Sequence, residues 1–385
     1  MRHDRRSTGV PIPNQGFSRL CFNRIQTILT RRDRSAKYPD WKMNIFEYTY
    51  EGLVVELGRR YGKGAYHAAA IYRCLYHEMN PNVAGSTEIA EFREFAALLE
   101  RDMVTATGRV VMEKEQDGVV KFVTRLDDGL KIESVVLPMV HHKTVCVSSQ
   151  AGCRMGCRFC ETGRNGLSRN LEVAEIVGQV FAARKRFGPD MRNVVFMGMG
   201  EPFDNYDKVL KAIDVISDQR GLDIAHRRIT VSTAGLAEGL RKFGAAGPPL
   251  IKLAISLNAP NDRLRSELMP VNRSLPLDKL KALLRAYPLK KKYYFLFAYV
   301  QIPGVNDQTE HAVQLARYLE SLPSKVNLIP FNPGSNSPYR APSEEESKRF
   351  RELLIARRVN VQQRSTRGRE LMAACGQLGS AAYPL

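Results

Sequence analysis

The chain has 385 residues, 44% of them hydrophobic, and a formal net charge of +18. No apolar run approaches the roughly 18 residues needed to cross a bilayer, and the seven cysteines, four of them crowded between Cys146 and Cys160, do not have the distribution of a secreted disulfide framework. The length suits one large domain with one or two small ones, and the basic excess favours an anionic partner, nucleic acid before a membrane surface.

In chain order, residues 1–43 are Arg-rich (Arg2, Arg5, Arg6, Arg31, Arg32, Arg34) and lack the apolar core of a signal peptide. They read as a disordered basic extension, or as residues ahead of a true start at Met43; an RNA-gripping arm and a transit peptide are the alternatives. Residues 44–107 read as a helical accessory domain, with Leu53, Val54, Leu57 and then Ala69, Ile71, Leu75 at helical spacing. Residues 108–140 read as an antiparallel β meander. Its strand-like runs Val110–Met112, Val119–Val123 and Lys131–Leu137 are separated by turns ending Asp117-Gly118 and Asp128-Gly129.

From about residue 141 to 380, strands and helices alternate. Strand-like runs at 144–148, 193–197, 228–232, 251–257, 294–300 and 325–329 are followed by helical stretches, which gives six βα units. Right-handed crossovers turn such a series into a parallel barrel or partial barrel, with its site at the C-terminal ends of the strands. The predicted class is therefore α/β, with a helical domain and a meander ahead of a (β/α)6 partial barrel.

Every chemical motif falls at such a strand end. After the first strand comes Cys153-Arg-Met-Gly-Cys157-Arg-Phe-Cys160, a C-x₃-C-x₂-C loop. Three thiolates can hold three irons of a [4Fe–4S] cubane and leave the fourth open to a substrate, whereas an electron-transfer cluster or a structural zinc site takes four ligands. The loop thus reads as the cluster with which radical S-adenosylmethionine (SAM) enzymes bind and cleave SAM; a zinc knuckle is the rival. An oxygen-sensitive cluster also predicts a reducing compartment, the cytosol. Met197-Gly-Met-Gly200-Glu201-Pro202 ends the second strand, and its carboxylate suits the SAM ammonium group, although a Gly-x-Gly turn alone is also an ordinary tight loop. Ser232, Ser256, Leu257, Asn258 and Asn332 stand at later strand ends, as ligands for ribose, carboxylate or adenine, or as turn and cap residues. Cys146 on a strand and Cys375 among alanines read, taken singly, as small buried hydrophobes, and Glu133 on a meander strand as a solvated charge.

These stretches, with Cys146-Val-Ser-Ser-Gln150, Ser256-Leu-Asn-Ala-Pro-Asn-Asp262, Asn327-Leu-Ile-Pro-Phe-Asn-Pro333 and Ala373-Ala-Cys-Gly-Gln-Leu378, resemble the RlmN/Cfr family of radical-SAM methyltransferases, which modify an adenine of large-subunit ribosomal RNA. The match runs from about residue 130 to 380. The resemblance implies that Cys375 carries a methyl group, that Cys146 resolves the covalent RNA adduct through a transient disulfide, and that Glu133 accepts a proton. It implies two SAM per turnover and cluster ligation by Cys153, Cys157 and Cys160. It also implies methylation of 23S rRNA at carbon 2, with tRNA a further candidate, by a monomer served by an electron donor such as flavodoxin and without a membrane partner. Carbon 8 of the same base and a non-RNA substrate are the rival readings. The departures from the family pattern are Glu161 in place of a small residue, Asn258 where many members carry His, and the basic Arg367-Gly-Arg369 before the Ala-Ala-Cys.

Overall fold

A strand buried on both faces must be apolar along its whole length, and Phe295–Gln301 (Phe-Leu-Phe-Ala-Tyr-Val-Gln) is such a strand. It lies inside a ten-stranded sheet in the computed structural model, which describes residues 42–246, 250–334, 337–364, 368 and 370–379. The strands are β1 (Arg109–Gln116), β2 (Val119–Arg125), β3 (Lys131–Pro138) and β4 (Lys143–Cys146), then β5 (Gln150–Gly152), β6 (Leu167–Asn170), β7 (Met191–Phe196) and β8 (Ile229–Thr233). They continue with β9 (Lys252–Ser256), β10 (Phe295–Gln301), β11 (Ser324–Pro330) and β12 (Val361–Gln363). The large sheet runs β12-β11-β10-β9-β8-β7-β4-β3-β2-β1, while β5 and β6 pair separately.

From β4 to β12 every neighbour in the large sheet is parallel, so the predicted six-strand alternation is present with a seventh strand added. That strand, Val361-Gln-Gln, pairs with β11 through Leu328↔Gln363; three residues, two of them polar, carry no periodic signal. The meander continues the same sheet, because β3 pairs antiparallel with β4, Val135 opposite Cys146. Its first turn follows the Asp-Gly prediction, with Asp117 at φ 51° and Gly118 at φ 73°. Edge strand β1 presents Glu113, Lys114 and Glu115, charges that discourage further pairing.

Helices α1 (Tyr50–Tyr61), α2 (Ala65–Tyr72) and α3 (Arg93–Asp102) form the helical segment. Thr49 caps α1 by accepting the Gly52 N–H, and Gly62 ends it in the left-handed conformation. Helix α4 (Val173–Phe187) is buried nearly all round, because it lies on the sheet and also receives the helical segment: Phe46 meets Phe181 edge-on at 4.9 Å. The remaining crossovers are α5 (Tyr206–Ile216), α6 (Ala237–Ala246), α7 (Asp262–Leu268), α8 (Leu277–Ala286), α9 (Thr309–Leu319) and α10 (Glu344–Ala356). From Asn44 onward the chain forms one compact unit. The expected basic extension lies, up to residue 41, outside the described residues, as do residues 365–367 and 369. No helix among the described residues is long and apolar enough to cross a membrane.

Candidate active site

The three-cysteine loop is held at both ends. Beyond β4 the chain follows β7 to Ser148, whose hydroxyl donates to the Glu133 carbonyl at 2.7 Å, and then enters β5. Strands β5 and β6 clamp the loop, with the Cys153 N–H on the Gly166 carbonyl at 2.7 Å. Gly152, at φ 83°, makes this crossing possible, since a Cβ there would overlap the Gly166 carbonyl. Burial pushes all three thiols up, Cys153 to about 12; Cys153 also feels Cys160, and Cys157 feels both of the others. Backbone N–H groups oppose that shift: Met155 at Cys153, and Thr162 and Gly163 at Cys160.

The strand ends carry the other expected residues. Glu201 is buried, and its carboxylate accepts N–H groups from Phe203 at 3.1 Å and Ala234 at 2.7 Å; burial raises it to about 7. The preceding glycines serve chain packing: Gly198 presses on the Val147 backbone and Gly200, at φ 101°, on Gln150. Ser232 and Ser256 meet hydroxyl to hydroxyl at 3.4 Å. Asn258, at φ 57°, accepts the Val300 N–H at 2.9 Å and donates to Met269 Sδ, while its carbonyl receives Asn306; it joins β9 to β10. Leu257 is fully buried, and Asn332 donates to the Pro330 carbonyl at 2.9 Å.

Beneath this rim lies Arg265, a residue the sequence reading missed. Only 1% exposed, it donates to the carbonyls of Leu257, Ala234 and Ser256 and to Asn272 Oδ1, and its charge reaches Cys157. It collects the strand-end carbonyls that the crossovers leave unpaired.

Residues 370–379 bring the remaining expected groups to the cluster loop. The Glu161 N–H donates to the Gly376 carbonyl at 2.8 Å, and the Thr162 hydroxyl to the Leu378 carbonyl at 2.6 Å. Gln377 donates to the Pro333 carbonyl at 3.0 Å. The Gly379 N–H reaches Glu133 Oε2 at 2.9 Å, and the same oxygen takes the ammonium of Lys121, also at 2.9 Å. Glu133 is thus buried and paired, and the solvated position its strand also allowed is not the one adopted. Lys121 was a second omission. It is fully buried and donates to the Met372 carbonyl as well. Its signal was present, because opposite charges at diagonal positions of a hairpin share one face. Glu161, the unusual residue, is buried against Gly334 and pairs with Arg164 at 3.0 Å.

Cys146 and Cys375 are free thiols, and the charge of Cys375 reaches Cys146. Burial, then Cys375, pushes Cys146 up to about 12. Cys375 lines a cavity of about 440 Å³ with Asn332, Arg364 and Leu137. Glu133 lines another, of about 1100 Å³, with Lys131, Arg125 and Met199. Residues 370–379 therefore contribute to both walls, Gly379 to the larger cavity and Ala373, Ala374 and Cys375 to the smaller.

The loop fits a cluster. Amide donors are aimed at the Cys153 and Cys160 sulfurs, the Cys157 thiol feels both of the others, and Cys157, Phe159 and Cys375 pack against one apolar group of residues. Among the described residues no three Cys, His, Asp or Glu side chains gather as closely as a single metal ion requires; in a cubane each thiolate takes its own iron. The fold and loop define a radical-SAM enzyme, and the Radical SAM superfamily matches residues 147–316. Its cofactors are a [4Fe–4S] cluster and SAM. The chain belongs to the RlmN family of radical-SAM methyltransferases. It is 44% identical over 322 residues to the dual-specificity RNA methyltransferase RlmN of Syntrophobacter fumaroxidans, covering 82% of this chain and 92% of that protein. The RlmN of Geobacter sulfurreducens is 42% identical, over 82% of this chain and 87% of its own length. The crystal structure of a radical SAM methyltransferase from Sphaerobacter thermophilus superposes with a TM-score of 0.81 at 38% identity, over 88% of this chain and 99% of that one.

Proposed function

We propose that this enzyme methylates carbon 2 of an adenosine in 23S rRNA, with tRNA as a second substrate, through a methyl group carried on Cys375 and with two SAM consumed per turnover. The observation that carries the reading is the seam between residues 370–379 and the cluster loop, from Glu161–Gly376 to Thr162–Leu378. A carbon that is not nucleophilic cannot take a methyl group from a sulfonium directly, so the group must travel on a residue lying beside the radical source.

Cys375 takes the methyl by displacement, acting as a covalent nucleophile. Cys153, Cys157 and Cys160 would hold the cluster, which when bound would supply the electron for reductive SAM cleavage. Cys375 then holds the activated carbon as it joins the adenine ring. Glu133 accepts the ring proton as the adduct gives its unpaired electron back to the redox chain that supplied it; the Cys146 thiolate then attacks Cys375 Sγ, the S–S bond forms, the C–S bond breaks with its electron pair on the methylene carbon, and that carbon takes a proton to become the methyl group. Glu201 holds the SAM ammonium group, and Ser232, Ser256 and Asn332 line its rim; Gly200, Leu257 and Asn258 shape that rim through their backbone.

The test is Cys375→Ala. The variant should still split SAM under reduction and should methylate no RNA. RNA methylation by the variant at the parent rate would remove Cys375 from the mechanism.

A further inference from the structure

The two thiols of the site are not equivalent: the charge of Arg364 reaches both, but its hydrogen bond goes to Cys375, and at Cys146 burial outweighs the charge. Cys146 stands on β4 inside an apolar cluster with Val119, Val135, Met199 and Leu378. Cys375 is half-buried at a cavity wall, and Arg364 Nη1 donates to its Sγ at 3.4 Å. Arg364 is well placed to do this. It follows β12 directly, and its backbone N–H is tied to the Leu328 carbonyl at 2.8 Å. None of the described residues lining that cavity is acidic, so no carboxylate in its wall draws the guanidinium away from the sulfur.

We propose that Arg364 is a catalytic residue of methyl loading: its guanidinium holds Cys375 as the thiolate and so makes Cys375, not Cys146, the methyl acceptor. A cation beside a cysteine favours the thiolate, the form that attacks, and burial in apolar surroundings disfavours it. The step balances without a redox partner. The Cys375 proton leaves to solvent. The sulfur lone pair forms the new S–CH₃ bond, and the methyl–sulfonium bond breaks with its electron pair staying on the sulfur of S-adenosylhomocysteine; Arg364 remains protonated throughout. Cys146, kept as the thiol, is spared methylation and stays available as the resolving thiol. This assignment rests on the proposed role of Cys375 as methyl carrier.

The test reads thiol reactivity in the full-length chain and does not depend on turnover. Iodoacetamide labelling is followed across pH by peptide mass spectrometry, with Cys146 and Cys375 quantified side by side. In the parent, Cys375 should label much faster than Cys146 near neutral pH. Arg364→Gln should slow labelling of Cys375 on the order of tenfold and move its profile to higher pH, while Arg364→Lys, which keeps the charge, should stay within about threefold of the parent. Should Arg364→Gln fail to fold by thermal melting, Arg364→Met, which keeps the apolar stem, carries the same test. A neutral variant whose Cys375 profile overlays that of the parent overturns the assignment, as does a parent in which Cys146 labels as fast as Cys375. The outcomes separate the two claims: if Cys375→Ala still methylates RNA, the carrier role falls whatever the labelling shows, whereas an unmoved profile with the methyl group still found on Cys375 removes Arg364 alone.

Discussion

Lys121 and Glu133 form a buried ion pair, with side chains 0% and 8% exposed, between β2 and β3. Such a pair adds little net stability over an apolar pair, but breaking it leaves one charge stranded. Lys121→Met should therefore cost about 3–5 kcal/mol in urea unfolding, and adding Glu133→Leu should return much of the loss without restoring methylation. A loss below about 1 kcal/mol for the single variant would mean that Glu133 finds water or another donor. At this scale the sequence was uneven. The three loop cysteines stood out as cluster candidates because their spacing is itself the chemistry. Cys146, Cys375 and Glu133 became candidates only through family resemblance, since each alone looks like an ordinary strand or core residue. Arg265 was not legible at all: within Asp262-Arg-Leu-Arg265-Ser-Glu-Leu268 it resembles a surface residue of a charged helix, and only the fold turns it beneath the strand-end carbonyls.

Among the elements, the cluster loop depends on the β5–β6 clamp, and the clamp depends on Gly152. Gly152→Ala would force a side chain into a left-handed backbone position and into the Gly166 carbonyl. The expected result is a loss of about 1–3 kcal/mol or more and poorer iron retention per chain, measured by denaturant unfolding and metal analysis; unchanged iron content would mean that the loop does not need the clamp. The parallel strands were legible because burial on both faces demands continuous apolar runs, as in β10. Strand β12 was not, because an edge strand of three residues needs only backbone pairing. Nor did the sequence reveal that the meander extends the barrel sheet: the β3–β4 pairing is a property of register, which composition does not carry.

For the whole molecule, the sheet order brings together residues from Lys121 to Gly379, and residues 370–379 lock a distant end of the chain onto the cluster loop. That long-range closure is what makes a radical-SAM fold a candidate for methyl transfer through cysteine, and it also places Arg364 on Cys375. The net charge of +18 is a separate, global property suited to a polyanionic substrate, and it carries no information on which base is modified. The most direct measurement is mass spectrometry of nucleosides from 23S rRNA and tRNA of host cells with and without the gene. The expected result is 2-methyladenosine in 23S rRNA that disappears on deletion and returns with the parent gene but not with Cys375→Ala. A deletion that removes 8-methyladenosine instead, or leaves both modified adenosines unchanged, would contradict it.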